Sequence, residues 1–452
     1  MELSLRDICD FINGGPWSDS EYADAGIRVV KVSNMENGTI VPRNDDNYLP
    51  ISKYEKYKKH ELKTDDIVVA TVGSHPTQPG SVVGRTSSIP RNYSGSFLNQ
   101  NSVCLRVRRS DVCSQRYLFY LSNTVLFKYH IESRARGSAN QVRMAVGELK
   151  KFTAAYPRIQ TQRKIAAILS AYDDLIENNK RRIALLEVLA EEIYREWFVR
   201  LRFPEHKNSK LLKGVPVGWH VKRFCDIVEH YIGGGWGEGD QSTSFCEGAF
   251  VIRGTDIPDI QAGAFEGCPF RFHKPSNLKS RKLQPNDFVF EVSGGSTNQL
   301  LGRNVLVTES ALTFFNSPVI AASFCKLIRF RCELVSPYFM KYFMKLYYDY
   351  ELVGIYQVQS TGISNYQFES FLKFQTIVLP PPKLQREFED KVKPIIAMGD
   401  HIALANIKLR RTRDLLLPRL ISGKLAVEDL DIQFPPRIAE QVKPQPGATA
   451  HA

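Results

Sequence analysis

One unit is written twice in this chain, and that duplication limits the possible folds more than any other feature. In "PRIQTQRKI" (157–165), Gln162-Arg163 falls on Gln385-Arg386 of "PPPKLQREF" (380–388), an offset of 385 − 162 = 223. Upstream, "LRDICDFINGG" (5–15) matches "FCDIVEHYIGGG" (224–235), and "GIRVVKVSNM" (26–35) matches "GAFVIRGTDI" (248–257). "LKTDDIVVATVGS" (62–74) matches "LQPNDFVFEVSGGS" (283–296), Arg85 falls on Arg303, and "FLNQN" (97–101) falls near "FFNSP" (314–318). Self-similarity at a near-constant spacing, here offsets of 217 to 223, means two copies of one structural unit.

Each copy has two parts with different periods. About 150 residues mix short β-branched and aromatic runs ("IRVVKV", "DIVVATV", "DFVFEV") with Gly, Pro, Asn and Ser punctuation and a few helical stretches. That pattern predicts an α+β globular domain. A long helix follows. Ile165, Leu169, Tyr172, Ile176, Asn179, Ile183, Leu186, Ala190, Ile193 and Trp197 step by four and three, the spacing of a coiled-coil seam. The same frame in the second copy gives Phe388, Val392, Ile395, Gly399, Ile402, Asn406, Leu409, Arg413, Leu416 and Leu420, with Ile396, Ala403 and Leu417 widening the stripe. Pro394 lies inside this second seam and should delay or kink its helix. Two apolar seams in one chain bury best against each other, so the expected fold is two similar domains, each followed by a long helix, with the helices pairing as an antiparallel coiled coil.

The expected boundaries are a first domain at 1–156, a first helix at 157–203, a linker and second domain at 204–379, a second helix at 380–425, and a Pro- and Ala-rich tail at 426–452 expected to be disordered. No apolar run approaches the roughly 20 residues that span a bilayer. The opening "MELSLRDICDF" carries acidic residues and no apolar core, so it does not read as a secretion signal, and a cytoplasmic location is expected. Eight cysteines occur without a C-x-x-C pair, so no metal site is expected.

Catalytic signatures are missing as well. "GGGWGEGD" (233–240) lacks the Gly-Lys-Ser/Thr ending of a phosphate loop and reads as a mobile loop. "LPPP" (379–382) lacks the polar residue before it and the aromatic after it that would make it a methyltransferase motif. Asp66 and Asp287 precede apolar runs, where a turn-forming role is the commoner one. A formal net charge of +12 favours a polyanionic partner. Duplex DNA suits a charged protein with two similar heads, because phosphates give affinity and base edges give sequence choice.

The order of domain, helix, domain, helix, with "PRIQTQRKIAAILSAYDDLIENNKRRIALLEVLAEEIYREWF", "GVPVGWHVKRF", "PPPKLQREFEDKV" and "RTRDLLLPRLISGKL", resembles the specificity subunit of type I restriction-modification systems. The likeness covers residues 1 to about 430; it is carried by the helices and linker and is weak in the globular domains. It implies target recognition domains that each read one half of a bipartite double-stranded DNA site. It also implies paired helices that fix the spacer and dock two methyltransferase subunits, with restriction and translocase subunits joining them. S-adenosylmethionine, ATP and magnesium would then be bound by those partners, and this chain would be non-catalytic.

Base contacts do not carry over from a family whose members read different targets. From chemistry alone, the candidates are polar and basic residues in aligned loops. In the first copy they are Lys31, Ser33, Asn34, Ser74, Arg85, Asn99 and Gln100; in the second, Arg253, Thr255, Asp256, Ser296, Asn298 and Arg303. The segments "RARGSANQVR" (134–143) and "QVQSTGISNYQ" (357–367) lie just before the helices and are candidates for backbone contacts or for ordering the junction. The rival reading is a non-enzymatic two-headed coiled-coil adaptor for protein or glycan; it requires neither salt-sensitive DNA binding nor a methyltransferase partner.

Overall fold

The computed structural model describes residues 2–43, 45–74, 81–138, 141–294, 299–360 and 362–434. Of these, 2–175 and 410–434 form one compact unit and 176–409 a second. Both are mixed α and β, and they share one topology.

In the first unit, four antiparallel strands lie in the order Cys9–Asn13, Ser102–Val107, Ile67–Ala70, Thr86–Ser88. The second unit repeats this as Val228–Gly233, Cys325–Phe330, Phe288–Glu291, Asn304–Leu306. A three-stranded sheet beside it joins one parallel and one antiparallel neighbour. In the first unit Ile27–Val30 lies between Phe97–Leu98 and Asn47–Leu49; in the second, Glu247–Ile252 lies between Val319–Ala321 and Phe270–His273. Runs such as Ile67–Ala70 are buried along their whole length, which is why they read as continuous apolar stretches rather than alternating ones. Each globular part is closed by pairing its first strand with its last, Glu2–Ser4 with Thr153–Ala155 and His220–Arg223 with Thr376–Leu379.

The long helices run Ile159–Tyr194 and Pro382–Ile421. None of the twenty seam positions is exposed: Ile165, Leu169, Ile176, Asn179, Ile183, Ala190, Trp197, Phe388, Val392, Asn406 and Leu420 are buried, and the rest half-buried. The antiparallel pairing is visible inside each unit. In the first, the Arg413 guanidinium meets the Asp173 carboxylate at 2.5 Å. In the second, Asn179 Nδ2 donates to Asn406 Oδ1 at 2.8 Å, with both side chains buried. The helix after Tyr194 widens into a π turn, Arg195–Val199, and Trp197 and Phe198 join Tyr194, Phe339 and Phe388 in one aromatic cluster.

Three expectations change. Pro394 does not delay its helix, which starts at Pro382. The proline removes one N–H from the ladder, while buried Val392 and half-buried Ile395 and Ile396 anchor the surrounding turns in the core. Residues 426–434, assigned to a disordered tail, are anchored instead on the first unit's core through Val427, Ile432 and Phe434. Val427 is 1% exposed in the first unit's core, and Lys164 Nζ donates to the carbonyls of Glu428 (2.6 Å) and Leu430 (2.8 Å). Residues 435–452 lie outside the described residues. The glycine-rich stretch after residue 233 is tied down: Glu238 pairs with Phe272, and Arg271 lies 4.7 Å from the Trp236 ring centroid.

The repeated glutamine answers a specific need. Gln162 Oε1 accepts from Ser114 N (2.9 Å), and its Nε2 donates to the carbonyls of Val112 (2.7 Å) and Pro157 (2.9 Å). Gln385 does the same with Ser336 N (2.9 Å), Leu334 O (3.3 Å) and Pro380 O (2.8 Å). Ser114 and Ser336 each cap a helix of the globular part, so their N–H groups have no partner within that helix. One buried side chain per copy therefore clips the start of the long helix onto the globular part.

Candidate nucleic-acid interface

In each unit a core strand runs into a single 3₁₀ turn, Val32–Asn34 or Gly254–Asp256, whose third residue caps it. Asn34 Oδ1 accepts from Lys31 N (2.9 Å), and its Nδ2 donates to Val41 O (3.1 Å) and Asp46 Oδ1 (2.6 Å). The Asp256 carboxylate accepts from Arg253 N (2.9 Å) and from the Arg253 guanidinium (2.6 Å). Asn34 is 1% exposed and Asp256 5%. Both were expected at DNA; their hydrogen-bonding groups are instead engaged inside the fold, because a short amide or carboxylate at this position reaches back to the free N–H of the cap. Lys31 Nζ donates to Asp45 Oδ2 (2.9 Å) and Asn47 Oδ1 (2.6 Å), and its bond holds the Asp45 carboxyl below the ordinary range. Asp256 likewise raises the Arg253 pKa.

Beside this turn lies a second element, a reverse turn built the same way in both units. Asn99 N donates to Val30 O (3.0 Å), Ser102 N to Asn99 O (3.2 Å) and Thr71 N to Asn101 O (2.9 Å). The matching bonds run from Ala322 N to Ile252 O, Cys325 N to Ala322 O and Val292 N to Phe324 O, at 2.8, 2.8 and 2.9 Å. A glycine faces each turn at close quarters: a Cβ on Gly14 would sit 1.8 Å from Asn99 O, and one on Gly234 would sit 2.1 Å from Ala322 O. These bonds equate 97–101 with "IAASF" (320–324), at the full offset of 223, and not with "FFNSP" (314–318). Phe314 and Phe315 lie on a helix, Glu309–Phe315, where the first unit has only the short turn Arg91–Tyr93.

In the first unit the two turns share an open groove of about 590 Å³. Lys31, Ser33, Asn99 and Gln100 line it, joined by Tyr22, Asn47 and Asn101, which sequence reasoning missed. Ser33 and Gln100 are exposed; Asn99 is half-buried, its Oδ1 accepting from Asn101 N at 3.2 Å. In the second unit the equivalent rim carries exposed Ser323 and Phe324, the latter 61% exposed.

Comparison with known proteins bears on what such a frame serves. Residues 1–188 match the family model of the type I restriction modification DNA specificity domain. The specificity subunit of type I restriction enzyme MjaIX from Methanocaldococcus jannaschii is 26% identical over 368 residues, 78% of this chain and 79% of that protein. The chain is similar to type I restriction-modification specificity subunits. The MjaVIII specificity subunit of the same organism is 23% identical over 191 residues, 42% of this chain and 43% of that protein. The crystal structure of a type I S subunit from M. genitalium shares the fold, with a TM-score of 0.50 and 14% identity over 93% of this chain and 95% of that one.

The remaining candidates separate by geometry. Arg303 makes a two-pronged pair with Glu291 (2.8 and 2.5 Å), and its side chain is 13% exposed. Burial works against that charge and Glu291 more than restores it. Arg303 is thus paired within the fold, and its aligned partner Arg85 donates to Met35 O (2.9 Å), Ala70 standing where the second copy has Glu291. Thr255 is exposed on the capped turn and Ser74 is half-buried. Ser296 and Asn298 lie outside the described residues, as do 139–140 and 361 of the junction segments. Asp66 and Asp287, besides accepting from Lys63 N and Gln284 N (both 2.7 Å), pair with Arg106 and Arg329 at 2.5–2.8 Å. Among the described residues no group of three or more His, Cys, Asp or Glu could hold a metal, and no helix is long and apolar enough to cross a membrane.

Proposed function

We propose that this chain reads DNA sequence for a type I restriction-modification complex, each globular domain (1–156 and 204–379) reading one half of a bipartite double-stranded site. The paired helices set the length of the unread spacer and dock two methyltransferase subunits, which restriction and translocase subunits join in the cytoplasm. Specificity subunits are not themselves catalytic. In this reading S-adenosylmethionine, ATP and magnesium act in the partners, and this chain contributes the choice of target.

One observation carries the reading: the two units hold the same backbone frame and display different side chains on it, Asn99-Gln100-Asn101 against Ala322-Ser323-Phe324. A duplicated catalyst would keep the side chains that do its chemistry. A duplicated reader of an asymmetric site has to change them, while conserving whatever holds the frame. Phosphate contacts from the +12 chain would supply affinity that falls steeply with salt.

The test is to express the chain with the methyltransferase subunit of its own system and map methylated adenines on plasmid DNA by single-molecule sequencing. A two-part motif with a fixed gap is the expected result. Absence of methylation from a folded, stable complex refutes the reading, and salt-insensitive, weak DNA binding favours the adaptor.

A further inference from the structure

Resting on the reading of this chain as a DNA reader, we infer that the reverse turns 99–102 and 322–325 are specificity elements that read by different physics: amide hydrogen bonds to an adenine in the first unit, apolar contact with a thymine methyl in the second.

The argument starts from what holds each turn and what does not. The bonds that the two frames share all come from the backbone: the Asn99 and Ala322 amides on the neighbouring strand, the bonds closing each turn, and the Asn101 and Phe324 carbonyls that accept from the Thr71 and Val292 amides. The two central side chains of each turn are left over. In the first unit these are Gln100 and Asn101, at the edge of the groove that also holds Ser33 and Asn47. Carboxamides offer a donor and an acceptor side by side, which matches N7 and N6 of adenine in the major groove. Asn99 is committed to the turn through its bond from Asn101 N, which leaves Gln100 and Asn101 as the reading pair.

The second turn cannot read that way. Ala322 has no polar group, Ser323 has one hydroxyl, and Phe324 stands 61% exposed at the position of Asn101. Its carbonyl accepts from both Val292 N (2.9 Å) and Ser293 N (3.2 Å), so the backbone is anchored while the ring projects. The exposed ring offers an apolar face to a target of like character. On the major-groove edge of DNA the apolar feature is the thymine 5-methyl group, and phenylalanine contacts it.

The experiment uses the full-length chain in complex with its methyltransferase partner. Three preparations are compared: wild type, the Gln100→Ala/Asn101→Ala double variant, and Phe324→Ala. Both sets of substitutions leave the frame bonds in place. Methylation mapping on the first variant is expected to lose the preference for adenine at one or two adjacent positions of one half-site, where wild type discriminates by roughly ten- to a hundred-fold. The gap and the other half are unchanged. Phe324→Ala is expected to relax a thymine position in the opposite half. Binding to duplexes carrying uracil for that thymine gives an independent readout. Wild type should lose about four-fold in affinity with the missing methyl, and Phe324→Ala should lose none.

Unaltered motifs in both folded variants overturn the inference. So does a relaxed position that is neither adenine nor thymine, or a uracil effect that persists in Phe324→Ala. Uniform loss of DNA binding by a folded variant also overturns it, since that marks a backbone contact. A wild-type complex that selects no DNA sequence sinks the underlying reading instead, which separates the two failures.

Discussion

Replacing Gln162 by alanine removes one side chain and strands three backbone groups, the buried Ser114 N–H and the part-buried Val112 C=O and Pro157 C=O, whose partners lie at 2.7–2.9 Å. Gln162 is fully buried, so water cannot take its place without opening the junction. An orphaned buried group costs about 1–3 kcal/mol, and with partial relaxation the three together cost about 4 kcal/mol. Gln385→Ala should cost less, about 3 kcal/mol, because its contact to Leu334 O is already long at 3.3 Å. Urea denaturation followed by hydrogen exchange assigns each loss. The Ser114 amide and the first turn of Ile159–Tyr194 should lose protection in Gln162→Ala, and Ser336 and the start of Pro382–Ile421 in Gln385→Ala. A stability change below about 0.5 kcal/mol with unaltered exchange at Ser114 would show that the clip is ornamental, and the reasoning about it would fail.

Three further outcomes follow from the same geometry. Asp287→Ala leaves Arg329 without its partner; its side chain is 26% exposed, so the loss falls below the fully buried range, to about 2 kcal/mol, and Asp66→Ala should behave alike through Arg106. A double-mutant cycle on Asn179 and Asn406 should give a single Asn179→Leu cost of about 1–2 kcal/mol that Asn406→Leu recovers, with light scattering revealing new oligomers in the double variant. His130 is buried, which lowers its pKa below 6.5, and its Nε2 lies 2.9 Å from Glu148 O. The unfolded chain therefore binds the proton first as pH falls through 6.5, and the first unit loses stability below that point. His130→Gln should flatten that part of a melting-temperature profile.

Much of the architecture was legible because the two copies repeat residues that the backbone demands. Gly14 and Gly234 match since no Cβ fits there, Asp66 and Asp287 since each caps a turn and pairs with an arginine, and Gln162 and Gln385 since each completes a helix junction. The seams were readable for the related reason that burial keeps a period. Individual side-chain directions were not. Asn34 and Gln100 are both carboxamides in loops, yet one faces inward to Asp46 and the other outward, and only the three-dimensional neighbours decide it. The reverse turn was misaligned because its sequence is free to drift where the bonds common to both copies are backbone ones. "FLNQN" found a chance match in the helix Glu309–Phe315, six residues away from its counterpart.

The glutamine clip touches nothing but main chain: an amide and two carbonyls in each copy, with no side chain of the globular part among its partners. A joint of this kind is indifferent to what the attached domain has become. Recombination between genes could graft a foreign domain onto the helix at that seam and inherit a working hinge-point without compensating mutations. The constancy of one buried amide thus leaves the rest of the surface free to diversify, and new recognition could arise by shuffling whole modules rather than by slow rebuilding of one.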